Sequence, residues 1–374
     1  MSIVTLNTKK LRENFIFLNR LFQHKNIEWS IVTKVLCGDE TFLNEVLSLP
    51  INEFCDSRIS NLRKIKELNP HAQTVYIKPV PLTSADEILQ YADVSFNTEA
   101  ETLALLSEKA VQAGKVHKIV IMIEMGELRE GVVRSRLLDF FNKIDGLPHI
   151  EVVGIGTNLT CMNGVLPDYE KMRELKECKD EIEANFGVKI PYISGGASVA
   201  VPLILDNKMP PYINHFRVGE TLFFGTNVYD DSLIGEMHQD VFTLHAEIIE
   251  IKTKPNIPEG TLGSNLSGEQ KDFTEQQRRE KTTRAIVDVG LLDLSPSNIR
   301  AKDENLKIAG SSSDMMVLDL DASDCEYQVG DFIPFRINYM ALLRLMSSDY
   351  VEKQLDTSGC ELPVQKSIPH NLLH

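Results

Sequence analysis

Apolar residues recur along this chain in two successive rhythms. Leu11, Phe15, Leu18 and Phe22 fall at intervals of four, three and four, which predicts a helix with one apolar stripe. Beyond it, short β-branched runs alternate with amphipathic helical stretches. The strand candidates are Trp29–Thr33, Ile51–Cys55, Thr74–Ile77, Val94–Phe96, Lys118–Glu124, Ile150–Ile155, Ile190–Ile193 and Phe216–Phe223. Helical patterns at Glu40–Leu49, Ser57–Leu68, Ser84–Tyr91, Glu99–Ala113, Val133–Ile144, Asp168–Asn185 and Ser198–Asp206 separate them. Eight strand–helix units predict an α/β fold built as a parallel (β/α)8 barrel of the TIM type; a doubly wound open sheet gives similar local patterns.

After Gly235 the helical period stops. Strand-like runs follow at Phe242–Lys252, Arg284–Gly290, Met315–Asp321 and Phe332–Ile337, separated by turn-rich or charged segments. The chain therefore divides into a barrel over residues 1–235 and a C-terminal mostly-β domain over residues 236–374. The polar stretch Pro255–Thr283 is expected to be a surface insertion, or a loop that covers a site or a dimer partner.

Composition narrows the function. With 39 Lys+Arg against 54 Asp+Glu, the net charge of -15 opposes any phosphate backbone, so nucleic acid is not an expected partner. No apolar window is long enough to span a membrane, and Lys9, Lys10 and Arg12 precede any apolar run, which points to a cytoplasmic protein. The six cysteines (Cys37, Cys55, Cys161, Cys178, Cys325 and Cys360) show no metal-ligand spacing and are read as reduced thiols, with no metal site. His215, beside a strand candidate, reads as a packed residue.

In a barrel of this kind reactive groups project from the C-terminal ends of the strands. Those positions are polar here: Lys34, Cys55-Asp56, Lys78, Asn97, Glu124 followed by Arg129, Thr157-Asn158, Ser194-Gly195-Gly196-Ala197-Ser198 and Arg217-Val218-Gly219. Lys34 follows interior-type sequence, where withdrawal from water would favour the neutral amine that attacks a carbonyl; a lysine paired with a carboxylate at the mouth is the alternative. The Ser194–Ser198 segment falls at the seventh strand–helix junction, where glycines let backbone approach an anion and Ser198 adds a hydroxyl. Ordinary loop punctuation would look the same. A lysine at one side of the mouth and a phosphate cradle at the other suggest pyridoxal 5'-phosphate, whose aldehyde needs an amine and whose phosphate needs N–H donors.

These motifs have a family likeness. Val-Thr-Lys-Val-Leu-Cys-Gly-Asp (32–39), Glu-Met-Gly-Glu-Leu-Arg-Glu-Gly (124–131), Gly-Ile-Gly-Thr-Asn-Leu (154–159), Ser-Gly-Gly-Ala-Ser (194–198), Arg-Val-Gly-Glu (217–220), Gly-Ser-Ser-Ser-Asp (310–314) and Asn-Tyr-Met-Ala-Leu-Leu (338–343) stand in one order along nearly the whole chain. In this the chain resembles the alanine racemase family of fold type III pyridoxal-phosphate enzymes, and most closely its ornithine racemase-like branch. The resemblance implies that Lys34 is the Schiff-base lysine and moves a proton on one face of the substrate. It implies that Arg217 bonds the pyridine nitrogen, that Gly219, Ser198 and Tyr339 contact the phosphate, and that Asn158 lies against the ring. Arg129 matches the arginine that supports the cofactor's phenolic oxygen and the substrate carboxylate. A head-to-tail homodimer is implied as well, with one subunit's β domain over the other's barrel mouth.

One departure stands out. The family's second base, a tyrosine in a Gly-Tyr-Ala-Asp segment, has no counterpart in Val-Gly-Leu-Leu-Asp (289–293), which leaves Asp314, Asp293, a cysteine such as Cys37, or water as candidates. The expected reaction is racemisation of an amino acid, ornithine or lysine first and alanine or serine behind. A decarboxylase of the same fold type and a non-catalytic pyridoxal-phosphate carrier are the alternatives.

Overall fold

A computed structural model describes residues 1–230, 232–264, 268 and 281–357. The chain opens with β1 (Ile3–Asn7) and α1 (Thr8–Gln23), followed by β2 (Glu28–Val32), α2 (Glu40–Leu47), β3 (Glu53–Asp56), α3 (Ile59–Leu68), β4 (Gln73–Tyr76), α4 (Ala85–Tyr91), β5 (Val94–Asn97) and α5 (Ala100–Gln112). It continues through β6 (His117–Glu124), β7 (Val132–Val133), α6 (Leu137–Ile144), β8 (Ile150–Gly156), α7 (Tyr169–Phe186), β9 (Tyr192–Ala197), α8 (Val201–Leu205), β10 (His215–Val218) and α9 (Glu220–Phe224). Then come β11 (Phe242–Pro255), β12 (Lys281–Val287), β13 (Ile299–Ala301), β14 (Lys307–Ser311), β15 (Met316–Asp319), β16 (Phe332–Ile337), α10 (Tyr339–Met346) and β17 (Glu352–Asp356).

Eight of these strands pair in parallel and close on themselves, in the cyclic order β2-β3-β4-β5-β6-β8-β9-β10. This is the (β/α)8 barrel. Its interior is filled by side chains, with Val32, Cys55, Val75, Val94, Phe96, Val120, Met122 and Val153 in one buried cluster. The stripe on α1 packs outward-facing residues of the first and last barrel strands: Phe22 stacks on Trp29 at 5.3 Å and lies 5.2 Å from Phe216.

Two strand limits differ from the sequence reading. The eighth strand stops at Val218, and Glu220–Phe224 turns into a helix; a fully buried apolar run such as Leu222-Phe223-Phe224 carries no period that separates strand from helix. The seventh strand, expected at Ile190–Ile193, starts at Tyr192 and takes in Ser194-Gly195-Gly196-Ala197. The glycine pair is thus strand rather than loop. Its register against β10 slips between His215 and Phe216, so Gly195 forms a bulge. A Cβ on Gly196 would sit 2.1 Å from the Phe216 ring, and one on Gly195 2.8 Å from Met172 Sδ. Close packing by itself requires glycine at both positions.

The chain separates into two compact units, Leu11–Gln239 and a second that joins Met1–Lys10 to the chain from Asp240 onward. The sequence reading assigned the first residues to the barrel. Ile3–Asn7 instead form a strand that pairs antiparallel with β11 and parallel with β17, and so belong to the second unit. That unit is an antiparallel sheet in the order β13-β16-β11-β12-β15-β14. It also holds α10, which the sequence reading missed; Asn338 caps it by accepting from the Ala341 amide at 3.0 Å. Most of the expected insertion, residues 265–267 and 269–280, lies outside the described residues, as does Cys360.

His117, the first residue of β6, is buried against Ser95, with Nε2 and the serine hydroxyl 2.7 Å apart. Burial pushes its pKa down from 6.5 to about 4. The unfolded chain therefore takes up this proton first as pH falls, so the stability that neutral His117 preserves is complete above pH 6.5 and lost on the way down to 4. Urea unfolding should lose about 3 kcal/mol between those limits through this residue, and His117→Gln should flatten that slope; an unchanged slope in the variant would refute the assignment.

Candidate active site

The first strand of the barrel delivers Lys34. It begins a short 3-10 turn, Lys34–Leu36, and is exposed at the mouth, in contrast to the desolvated lysine expected from its flanking sequence. The preceding residue fixes this turn: Thr33 Oγ1 donates to Asp56 Oδ2 at 2.8 Å, with the Cys55 carbonyl oxygen 3.2 Å away. Asp56 is buried at the end of β3 and also accepts from the Arg58 amide at 2.9 Å and Asn61 Nδ2 at 3.1 Å. Burial raises its pKa even against these three donors. Sequence reading noted Asp56 only as a polar strand end.

Arg217 is the centre of the site. Only 3% exposed, it lies in β10 with its guanidinium 5.2 Å above the Phe96 ring. Its Nη1 donates to the Ser194 carbonyl at 3.1 Å and to Ser194 Oγ, and its Nη2 to the Thr157 carbonyl and Asn158 Oδ1, both at 2.7 Å. Burial lowers its pKa. A guanidinium has five N–H groups, and four are committed; among the described residues the Nε–H has no partner.

Asn158 links Arg217 to the opposite wall. Its Nδ2 donates to Glu130 Oε1, and Glu130 holds Arg129 through Nε and Nη2. Burial works against the Glu130 carboxylate, yet the bonds from Arg129 and Asn158 outweigh it and hold the pKa below the usual range. The same contact raises Arg129, with the Cys161 thiol a further contributor. Glu130 stands inside a motif the sequence reading quoted, but its role as the bridge was missed, because nothing local marks which of the motif's three carboxylates, Glu124, Glu127 and Glu130, joins Arg129 to Asn158.

On the far side of Arg217, Ser198 is buried at the start of the turn into α8. Its Oγ accepts from the amides of Gly219 at 3.3 Å and Thr221 at 3.2 Å, so a hydroxyl and two N–H groups converge on one spot. Gly219 packs so near β2 that a Cβ would stand 2.9 Å from the Val32 carbonyl oxygen. Lys34, Arg129, Asn158, Ser194, Gly195, Gly196, Ser198, Arg217 and Gly219 thus all belong to the barrel unit.

Tyr339 and Asp314 belong to the other unit. Tyr339 is half-buried at the start of α10, and Asp314 is exposed, accepting from Ser313 Oγ at 3.0 Å. The Leu291 and Leu292 amides donate to the Ser312 and Ser313 carbonyls at 3.0 and 2.9 Å, so the 310–314 turn lies beside the segment that lacks the tyrosine. Asp293 is buried and engaged by the Gly290 amide and Ser348 Oγ. Cys37 follows Lys34 closely, its thiol 3.9 Å from the lysine's carbonyl oxygen. No group of three or more His, Cys, Asp or Glu among the described residues could hold a metal.

A family model described as alanine racemase, N-terminal domain, matches residues 6–227. The chain belongs to the alanine racemase family. An ornithine racemase of Acetoanaerobium sticklandii is 35% identical over 94% of this chain and 99% of its own length, and a lysine racemase of Thermotoga maritima is 30% identical over 94% and 98%. The fold of an alanine racemase from Bartonella henselae, solved with covalently bound pyridoxal phosphate, superposes with a TM-score of 0.71 at 14% identity over 95% of this chain and 99% of that one. The loop after β8 is held to a buried carboxylate. Buried Glu127 accepts the amides of Thr160, Met162, Asn163 and Val165, the last at 3.0 Å, and these bonds, against the cost of burial, bring its pKa to about 2.

Glu127→Gln would turn an amide N–H toward backbone donors, and the melting temperature at neutral pH should fall by roughly 2–8 °C. A depressed carboxylate contributes above its ordinary pKa of 4.5 and loses that contribution as pH falls toward 2. The gap between wild type and variant should close over that window; a gap that persists at pH 2 would contradict the cage.

Proposed function

We propose that this protein is a pyridoxal-phosphate-dependent racemase of a cationic amino acid, ornithine or lysine, and that it works as a cytoplasmic head-to-tail homodimer. The racemase class follows from family membership, and the two relatives at 35% and 30% identity carry the names ornithine racemase and lysine racemase. Among the described residues no cysteine is joined in a disulfide, as in a reducing compartment. Among the described residues no helix is long and apolar enough to cross a membrane.

The single observation that carries the cofactor assignment is the unspent Nε–H of buried Arg217. A buried donor with no partner among the described residues, in one barrel unit with an exposed amine at Lys34 and the converging Ser198, Gly219 and Thr221 groups, suits the ring nitrogen, aldehyde and phosphate of one molecule. Pyridoxal phosphate, when bound, supplies an aldehyde for amines and a conjugated ring that draws charge from the substrate Cα.

Lys34 would hold the aldehyde of the bound cofactor and would carry the Cα proton on its own face of the substrate. Arg217 would donate to the ring nitrogen without surrendering a proton, which would limit electron withdrawal and suit racemisation over transamination. Ser198, Gly219 and Tyr339 take the phosphate, while Ser194, Gly195 and Gly196 shape the wall that carries Ser198. Arg129, fixed by Glu130, takes the substrate carboxylate, and Asn158 stands against the ring. Asp314, an exposed carboxylate beside the 289–293 segment, is our assignment for the second proton carrier.

Replacement of the exposed Lys34 by Ala should leave the fold intact and abolish the absorbance at roughly 420 nm that the wild type develops with pyridoxal phosphate. Retention of that band would sink the assignment. Incubation of the loaded wild type with L-ornithine or L-lysine should yield the D-isomer on a chiral column; an amine product would mean decarboxylation, and no product a carrier.

A further inference from the structure

We infer that His215 is a positioning residue for Arg217, acting from the floor of the barrel through Ser194. The inference rests on the reading above, in which the Arg217 Nε–H meets the cofactor's ring nitrogen. His215 opens β10 and Glu53 opens β3, so in a parallel barrel both stand at the N-terminal end, away from the mouth. Arg217 follows two residues later on the same face of β10. Glu53 Oε1 lies 2.8 Å from His215 Nε2, His215 Nδ1 lies 2.6 Å from Ser194 Oγ, and Ser194 Oγ accepts from Arg217 Nη1.

With the His215 imidazole neutral, the direction of every link follows from what the end groups are able to do. Arginine only donates, so the Ser194 hydroxyl is an acceptor toward Arg217 and gives its one proton to His215 Nδ1. The imidazole proton then sits on Nε2 and points at Glu53, whose carboxylate accepts. Remove the Nδ1 acceptor and the serine proton has no partner on the floor; it turns toward the guanidinium and competes with the N–H that Ser194 was holding. Arg217 then loses one of its four anchors, and its Nε–H is no longer aimed by them. The bulge at Gly195 serves the same end, because it pairs Ser194 rather than its neighbour with His215.

A packed histidine with satisfied nitrogens would have no such influence at the mouth. The test uses the full-length chain stripped of cofactor and titrated with pyridoxal phosphate, read by absorbance. His215→Leu should bind pyridoxal phosphate about tenfold more weakly or worse, the loss expected for one buried hydrogen bond, and its absorbance maximum should shift. His215→Asn, whose side-chain oxygen replaces Nδ1 as acceptor, should recover most of the affinity. In the loaded enzyme the loss in His215→Leu should fall on kcat rather than on KM for the amino acid. Ser194→Ala removes one atom from the same chain, is expected to fold whether or not the leucine variant does, and should show the same weakened binding. Wild-type affinity and spectrum in Ser194→Ala would overturn the inference, as would an asparagine variant no better than leucine. If the wild-type chain takes up no pyridoxal phosphate, the proposed function fails first and this inference with it.

Discussion

Arg217 carries a permanent positive charge inside a barrel wall, and the surrounding residues are arranged by the cost of keeping it there. A buried guanidinium is tolerated only when its N–H groups are met and its charge is balanced. Here the immediate partners are neutral: two carbonyls, a hydroxyl, a side-chain amide and the face of Phe96. The carboxylates stand one step further out, Glu130 behind Asn158 and Glu53 behind His215 and Ser194. Neutral groups closest and anions behind them hold the arginine firmly without forming a direct ion pair, which would compete with any ligand for the remaining donor.

The mouth is organised by a second use of buried carboxylates. Asp56 ties Thr33, and through it the Lys34 turn, to the start of the next unit. Glu130 joins Arg129 to Asn158 across two strands, and Glu127 gathers four amides of the loop after β8. Each carboxylate accepts several N–H groups at once, so a loop that has no regular hydrogen bonding of its own acquires one geometry. Reactive side chains on flexible stems are thereby presented from fixed backbone.

Much of this was legible beforehand. The alternation of β-branched runs and amphipathic helices located all eight barrel strands, because a strand buried on both faces and a helix buried on one leave different periods in the chain. The motifs carrying Lys34, Arg129, Asn158, Ser198 and Arg217 were recognisable as well, since each is a polar residue at or near the C-terminal end of an apolar strand. Less legible were β1, whose pairing partners lie at the other end of the chain, and α10, a short helix among strands.

The amino-acid order alone determined the barrel, the β-rich second unit and the residue types at the strand ends, since these depend on local period and composition. Only the folded chain decided that Gly195 and Gly196 are packing residues within a strand, that Lys34 is exposed, and that Glu53, His215, Ser194 and Arg217 join into one hydrogen-bonded series. Those facts depend on which strands lie side by side and on the register between them. Register is set by long-range pairing across the closed barrel, and no short window of sequence contains it.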